Sequence, residues 1–206
     1  MHGSKHKLGL GVLALAIAGA TASYGLYRRD LAAARARLVD ASELVTTPCG
    51  PIEYAAVGTG PPILLVHGAG GGFDQGLAIG APLAVHGHRV VAMSRFGYLR
   101  TPLPADASAA QQADAHACLL DALRLERAAV VGVSAGAPSA LQLVVRHPER
   151  VSALVLMVPA AFVPRPGGAE PVRTPPGTLR LFDTALRSDF LFWATRRVAP
   201  SLMVRG

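Results

Sequence analysis

At 206 residues, with 51% hydrophobic and 16% charged side chains, the chain is long enough for one globular domain and too apolar for disorder over most of its length. Its formal charge of +7 is concentrated toward the ends: residues 41–164 carry seven Lys/Arg against eight acids, so the middle is near neutral. No basic stripe with interleaved aromatics crosses that middle, which argues against nucleic acid as a partner.

Leu8 to Tyr27 is a run of twenty residues without a charge, preceded by Lys5 and Lys7 and followed by Arg28-Arg29. As a helix it is about 30 Å long, the thickness of a bilayer's hydrocarbon core. Its length favours a retained signal-anchor, with the domain tethered to a membrane. Ala20-Thr21-Ala22 is an A-x-A pattern that fits the alternative, a cleaved signal peptide and an exported domain. A buried core helix is the third reading. Flanking charges do not decide the orientation, with two Lys before the run and four Arg soon after it. Asp30 is placed to cap a short Ala/Arg-rich helix, Leu31–Val39, reading as a juxtamembrane spacer. The expected organisation is an anchor over 1–30, a spacer over 31–42, a globular core over 43–160 and the start of a helical cap over 161–206.

From Glu43 onward the pattern alternates. Leu44–Thr47 and Ile52–Val57 read as an antiparallel hairpin around Pro48-Cys49-Gly50-Pro51. Pro62–His67 is a short apolar run of the buried, parallel type. The glycine-rich stretch Gly68–Gly72 leads to a helix within Gln75–Val85, then a strand over Arg89–Met93. Ser108–Leu125 is a long helix with Ala109, Ala113, Ala117, Leu120 and Leu123 as its apolar stripe. Val130–Val133 is a strand, Pro138–His147 a helix and Val151–Val158 a further buried strand. Such alternation implies an α/β architecture with a doubly wound, mostly parallel sheet and helices on both faces. After Pro159 come a Pro/Gly-rich loop and an aromatic, basic segment from Thr178 to Met203. Cys49 and Cys118 belong to no ligand cluster and read as two free, small hydrophobes.

The chemistry concentrates in Gly132-Val133-Ser134-Ala135-Gly136, which sits between a strand and a helix. Glycines around the serine permit a sharp turn that exposes its hydroxyl, the context a G-x-S-x-G nucleophile elbow requires. A serine nucleophile also needs donors for the oxyanion formed on the attacked carbonyl. The amide of Ala135 opens the following helix. The loop His67-Gly68-Ala69-Gly70-Gly71-Gly72 offers a second donor, Ala69 first and Gly70 next.

An H-G-x-G loop and a G-x-S-x-G turn, each after its own strand, together with Arg146-His147-Pro148-Glu149-Arg150 before a strand, resemble an α/β-hydrolase over about residues 45–160. The likeness is to the single-domain group that includes esterases, haloperoxidase-like enzymes and carbon–carbon bond hydrolases. It implies a serine hydrolase acting on a small ester-like or related acyl substrate through Ser134; nothing in the sequence suggests a metal or organic cofactor, and none is expected. It also implies an acid and then a histidine after later strands. Neither is visible here, so the sheet's last strands are expected to be missing and the chain to be C-terminally truncated. Val158-Pro159-Ala160-Ala161 has no carboxylate, Asp183 and Asp189 fall in the presumed cap, and His2, His6, His67, His86, His88, His116 and His147 all read as structural or solvated. A second departure is Ser94-Arg95-Phe96-Gly97-Tyr98, where relatives often carry Asp before an R-x-G-x-G turn. The cap, with Phe162, Phe182, Phe190, Phe192 and Trp193, is expected to roof Ser134 with an apolar pocket. The alternatives to an enzyme are a catalytically silent fragment or non-enzymatic binding module of the same fold, and a membrane adaptor.

Overall fold

The computed structural model describes residues 2–160, 184 and 187–198. In chain order the elements are α1 (His2–Leu38), β1 (Glu43–Thr47), β2 (Gly50–Val57), β3 (Pro62–Val66), α2 (Phe73–Val85), β4 (Arg89–Met93), α3 (Ala109–Ala122), β5 (Ala128–Val133), α4 (Ala137–Arg146), β6 (Val151–Met157) and α5 (Asp189–Val198). They fall into two compact units, Leu38–Pro164 and the pair Met1–Arg37 with Arg165–Gly206.

The larger unit is built on a six-stranded sheet in the order β1-β2-β4-β3-β5-β6. β1, β2 and β4 pair antiparallel, whereas β4, β3, β5 and β6 run parallel. Alternation along β3 divides its side chains between two cores. Leu64 and Val66 pack with Val91, Met93, Leu119, Leu120 and Leu143 on the face covered by α3 and α4. Ile63 and Leu65 pack with Val90, Ala92, Val131 and Phe73 on the face covered by α2. Leu64, Leu65 and Val66 are wholly buried, each contributing roughly 1.5–3 kcal/mol. Ser108 caps α3 by accepting from the Gln111 N–H. The doubly wound, mostly parallel α/β sheet expected from the alternation is the one present.

Two expectations change. Cys49 and Cys118 are not free: they form a disulfide that ties the β1–β2 turn to α3, with Cα atoms 6.2 Å apart. They stand 69 residues apart in the chain, and only the folded sheet brings them together. The helix predicted to start behind an Asp30 cap does not start there, because α1 runs unbroken from His2 to Leu38. Ala and Arg after Asp30 are strong helix formers, so nothing stops the preceding helix. Asp30 instead accepts hydrogen bonds from Trp193 Nε1 (3.0 Å) and the Arg197 guanidinium within the smaller unit. Phe190 and Trp193 pack there on Tyr24 and Tyr27 of α1, with ring centroids 5.4–6.1 Å apart. Phe162, Phe182 and Asp183, assigned from sequence to the cap, lie outside the described residues.

The disulfide closes a long loop and restricts the unfolded chain, an effect worth about 4 kcal/mol for this separation. Reduction, or Cys118→Ala, is therefore expected to lower the melting temperature of the core markedly. Thermal melts with and without a thiol reductant, alongside non-reducing gels, measure it.

Candidate active site

Ser134 directly follows β5 with φ at +47°, in the left-handed region that a residue with a Cβ occupies at a cost of roughly 1–2 kcal/mol. The strain persists because the neighbouring glycines are pressed against fixed structure. A Cβ on Gly136 would lie 2.5 Å from the Val66 carbonyl oxygen and 2.6 Å from that of His67. One on Gly132 would lie 2.7 Å from the Ala140 Cβ. The turn is thus wedged between the end of β3 and the start of α4, and Ser134 is left half-exposed above it. Its carbonyl accepts from the Ala137 N–H and from the Ala160 N–H at 3.0 Å. In a planar trans peptide the N–H lies opposite the C=O, so these two bonds set the direction of the Ala135 N–H.

The loop after β3 runs against the same turn. Gly68 approaches so closely that a Cβ on it would sit 3.3 Å from the Ser134 Cβ. Its N–H is occupied, donating to Gln75 Oε1 at 2.9 Å. Its carbonyl accepts from His67 Nδ1 at 2.7 Å and from Arg95 Nη2 at 3.1 Å. The same trans-peptide rule points the Ala69 N–H away from those two donors. Ala69 and Gly70 are exposed, and the Ala69 carbonyl accepts from Tyr98 Oη at 3.3 Å. The structure therefore brings Ser134, Ala135 and the Gly68–Gly70 loop together at the carboxyl ends of β3 and β5.

The histidines go elsewhere. His67 is fully buried, accepting from the Arg95 N–H at Nε2 (2.9 Å) while Nδ1 donates to Gly68. Burial, with the Arg95 charge beside it, pushes its pKa down to about 4. His116 is also fully buried, held between Ser139 Oγ and Met93 Sδ, and burial lowers it to about 3. His147 pairs at Nε2 with Asp114 Oδ1 at 2.8 Å. Asp114 also takes both arms of Arg146, whose hydrogen bonds hold its carboxyl below the usual range. His86 meets the Pro82 carbonyl. Among the described residues no imidazole or carboxylate hydrogen-bonds the Ser134 hydroxyl, and no group of three or more His, Cys, Asp or Glu is placed to hold a metal.

Two residues that the sequence did not single out organise the surroundings. Glu53 of β2, 2% exposed, accepts from Ser94 Oγ (2.8 Å), the Arg100 N–H (3.0 Å), Arg100 Nε (2.8 Å) and Ser42 Oγ (2.7 Å). Burial alone would raise its pKa, but these donors outweigh it and hold the carboxyl below the ordinary glutamate value. Ser94 accepts in turn from the Phe73 N–H, so its hydroxyl fastens the loop after β4 both to α2 and to the carboxylate on the neighbouring strand. The departure at Ser94 is thereby supplied from Glu53. A buried acid opposite a hydroxyl leaves no local motif, and only the β2–β4 pairing reveals it. The other residue is Arg95, whose guanidinium reaches the carbonyls of both Gly68 and Ala135.

Residues 61–202 match the family model described as the alpha/beta hydrolase fold, so the chain belongs to that family. It is 39% identical over 104 residues to a 2-hydroxymuconate semialdehyde hydrolase of Pseudomonas sp. strain CF600, covering 48% of this chain and 37% of that one. A solved alpha/beta hydrolase fold protein from Nakamurella multipartita superposes with a TM-score of 0.57 at 37% identity, covering 70% of this chain and 52% of the other. An epoxide hydrolase from an endophytic Streptomyces gives 0.51 at 34% identity, over 56% of this chain and 36% of that one. The chain spans about two fifths of the length of the curated relatives it matches.

The buried histidines give the core a defined acid response. Both imidazoles charge in the unfolded chain below about pH 6.5 but stay neutral in the fold down to about 4 and about 3. The unfolded state then binds more protons, so stability is full above pH 6.5 and falls as pH drops from there toward 4. The slope approaches ~2.7 kcal/mol per pH unit. Urea melts between pH 7 and 5 measure this, and His67→Asn is expected to remove about half of the slope.

Proposed function

We propose that Ser134 is the nucleophile of a serine hydrolase acting on a small ester-like or related acyl substrate. The N–H groups of Ala135 and Ala69 receive the oxyanion, with Gly70 the second candidate in the loop. The observation that carries this reading is the left-handed Ser134, held half-exposed against Gly68 by a turn that costs conformational energy to maintain. Ser134 Oγ adds to the substrate carbonyl, the carbonyl electron pair moves onto oxygen, and the two amides stabilise that charge. One such donor is worth about 3–4 kcal/mol in transition-state terms. The relatives' names support hydrolysis in general and leave the bond cleaved open.

The serine proton needs an acceptor, and the described residues set none beside it. That observation favours a second reading, a catalytically silent binding module that keeps the elbow. Covalent labelling separates the two. A fluorophosphonate probe on the intact chain should add one label to Ser134, seen by peptide mass, and Ser134→Ala should abolish it. No labelling of the wild-type chain overturns the nucleophile and leaves the binding module.

We also assign the domain to a membrane through α1. Its stretch Leu10–Leu38 is long and apolar enough to span a bilayer, and none of it is buried in the structure. The Cys49–Cys118 crosslink supports placing the core on an oxidising side of that membrane. The protein is expected to stay with membranes through high-salt and carbonate washes. Complete release into the soluble fraction would eliminate the anchor in favour of a cleaved signal.

A further inference from the structure

Arg95 stands where stability alone does not call for a cation. Its side chain is mostly buried, burial pushes its pKa below the usual arginine range, and among the described residues no carboxylate pairs with it. Its Nε is buried without a hydrogen-bond partner. A buried guanidinium in such surroundings is costly unless the groups it does reach need it.

Those groups are specific. Nη1 donates to the Ala135 carbonyl and Nη2 to the Gly68 carbonyl, each at 3.1 Å. The backbone N–H of Arg95 fixes His67, which donates to the same Gly68 oxygen. Tyr98 lies against the guanidinium, with its ring centroid 5.1 Å from Cζ, and its hydroxyl holds the next carbonyl, Ala69. One planar fork thus spans the loop after β3 and the turn after β5, the two segments that carry the proposed oxyanion donors. Loop and turn belong to different crossovers: their glycines permit the close approach, and the Arg95 fork ties the two together.

We infer that Arg95 is the positioning residue of this site, clasping the two donor segments in register and polarising the Gly68–Ala69 peptide so that its N–H meets a developing negative charge. The inference rests on the nucleophile reading above. The Gly68 carbonyl takes two donors, one of them charged, and a polarised C=O makes the N–H at the other end of the same peptide a stronger donor. The Ala135 carbonyl is held one peptide beyond the Ala135 N–H, so there the effect is one of placement. Lysine cannot substitute, because an ammonium offers a point charge rather than two parallel arms.

Fluorophosphonate labelling of the full chain tests this when its rate is followed against probe concentration for wild type, Ser134→Ala, Arg95→Lys and Arg95→Ala. Maximal labelling rates of both Arg95 variants should fall ~10- to 100-fold, with the half-saturating probe concentration little changed. Millimolar guanidinium ion should restore part of the rate to Arg95→Ala and leave wild type unaffected, an effect that generalised loosening does not produce. Should Arg95→Ala fail to fold, Arg95→Lys carries the test, with melting curves confirming a native core. Labelling of a folded Arg95→Lys at the wild-type rate overturns the inference while leaving Ser134 in place, as does a folded Arg95→Ala that guanidinium cannot rescue. A wild-type chain that does not label at all fails at the nucleophile, and the inference falls with it.

Discussion

The structure depends on a backbone conformation that is unfavourable by itself. Ser134 is held in the left-handed region because Gly136 abuts two β3 carbonyls, Gly132 abuts α4, and the Ser134 carbonyl is tied to Ala137 and Ala160. Each constraint comes from a different element: a central strand, the following helix and the segment after β6. The parallel order of β3, β5 and β6 puts all three at one end of the sheet. The fold is therefore the support that keeps a single, half-exposed residue strained.

Around that residue the polar groups form a continuous chain rather than isolated contacts. Glu53 fastens Ser94 and Arg100, Ser94 fastens the start of α2, Arg95 fastens Gly68 and Ala135, and His67 sits between Arg95 and Gly68. Ser94, Arg95 and Tyr98, at the start of the loop after β4, thus hold the start of α2 and the segments on either side of Ser134. The low exposure of Glu53 and His67 makes these bonds stronger than they would be in water, and makes the loss of any one partner correspondingly more disruptive.

Local pattern made much of this legible. Apolar runs of four to eight residues located the six strands, most plainly β3, β4 and β5, which are buried and apolar on both faces, whereas β6, expected to be buried as well, is a partly exposed edge strand. Glycine placement located the elbow and the loop that meets it, because both depend on close backbone approach. Pairings between distant segments were not legible. Cys49 and Cys118 look unrelated until the hairpin and α3 fold together. Glu53 reads as one acid on an ordinary hairpin strand, and Arg95 reads as a loop residue beside a missing Asp. Asp30 misled in the opposite sense: as a cap residue it suggests a helix start, yet the uninterrupted propensity on either side carries α1 through it.

The buried hydrogen bond between Ser94 and Glu53 makes these two positions interdependent. Here the acid sits across the ladder, 2.8 Å from the serine hydroxyl. An aspartate introduced at position 94 would face a second carboxylate in a site with little room for solvent, and one of the two would have to take up a proton. An acid can be accommodated at position 94 only if the neighbouring strand gives up its own charge, so what either site tolerates is set by the occupant of the other.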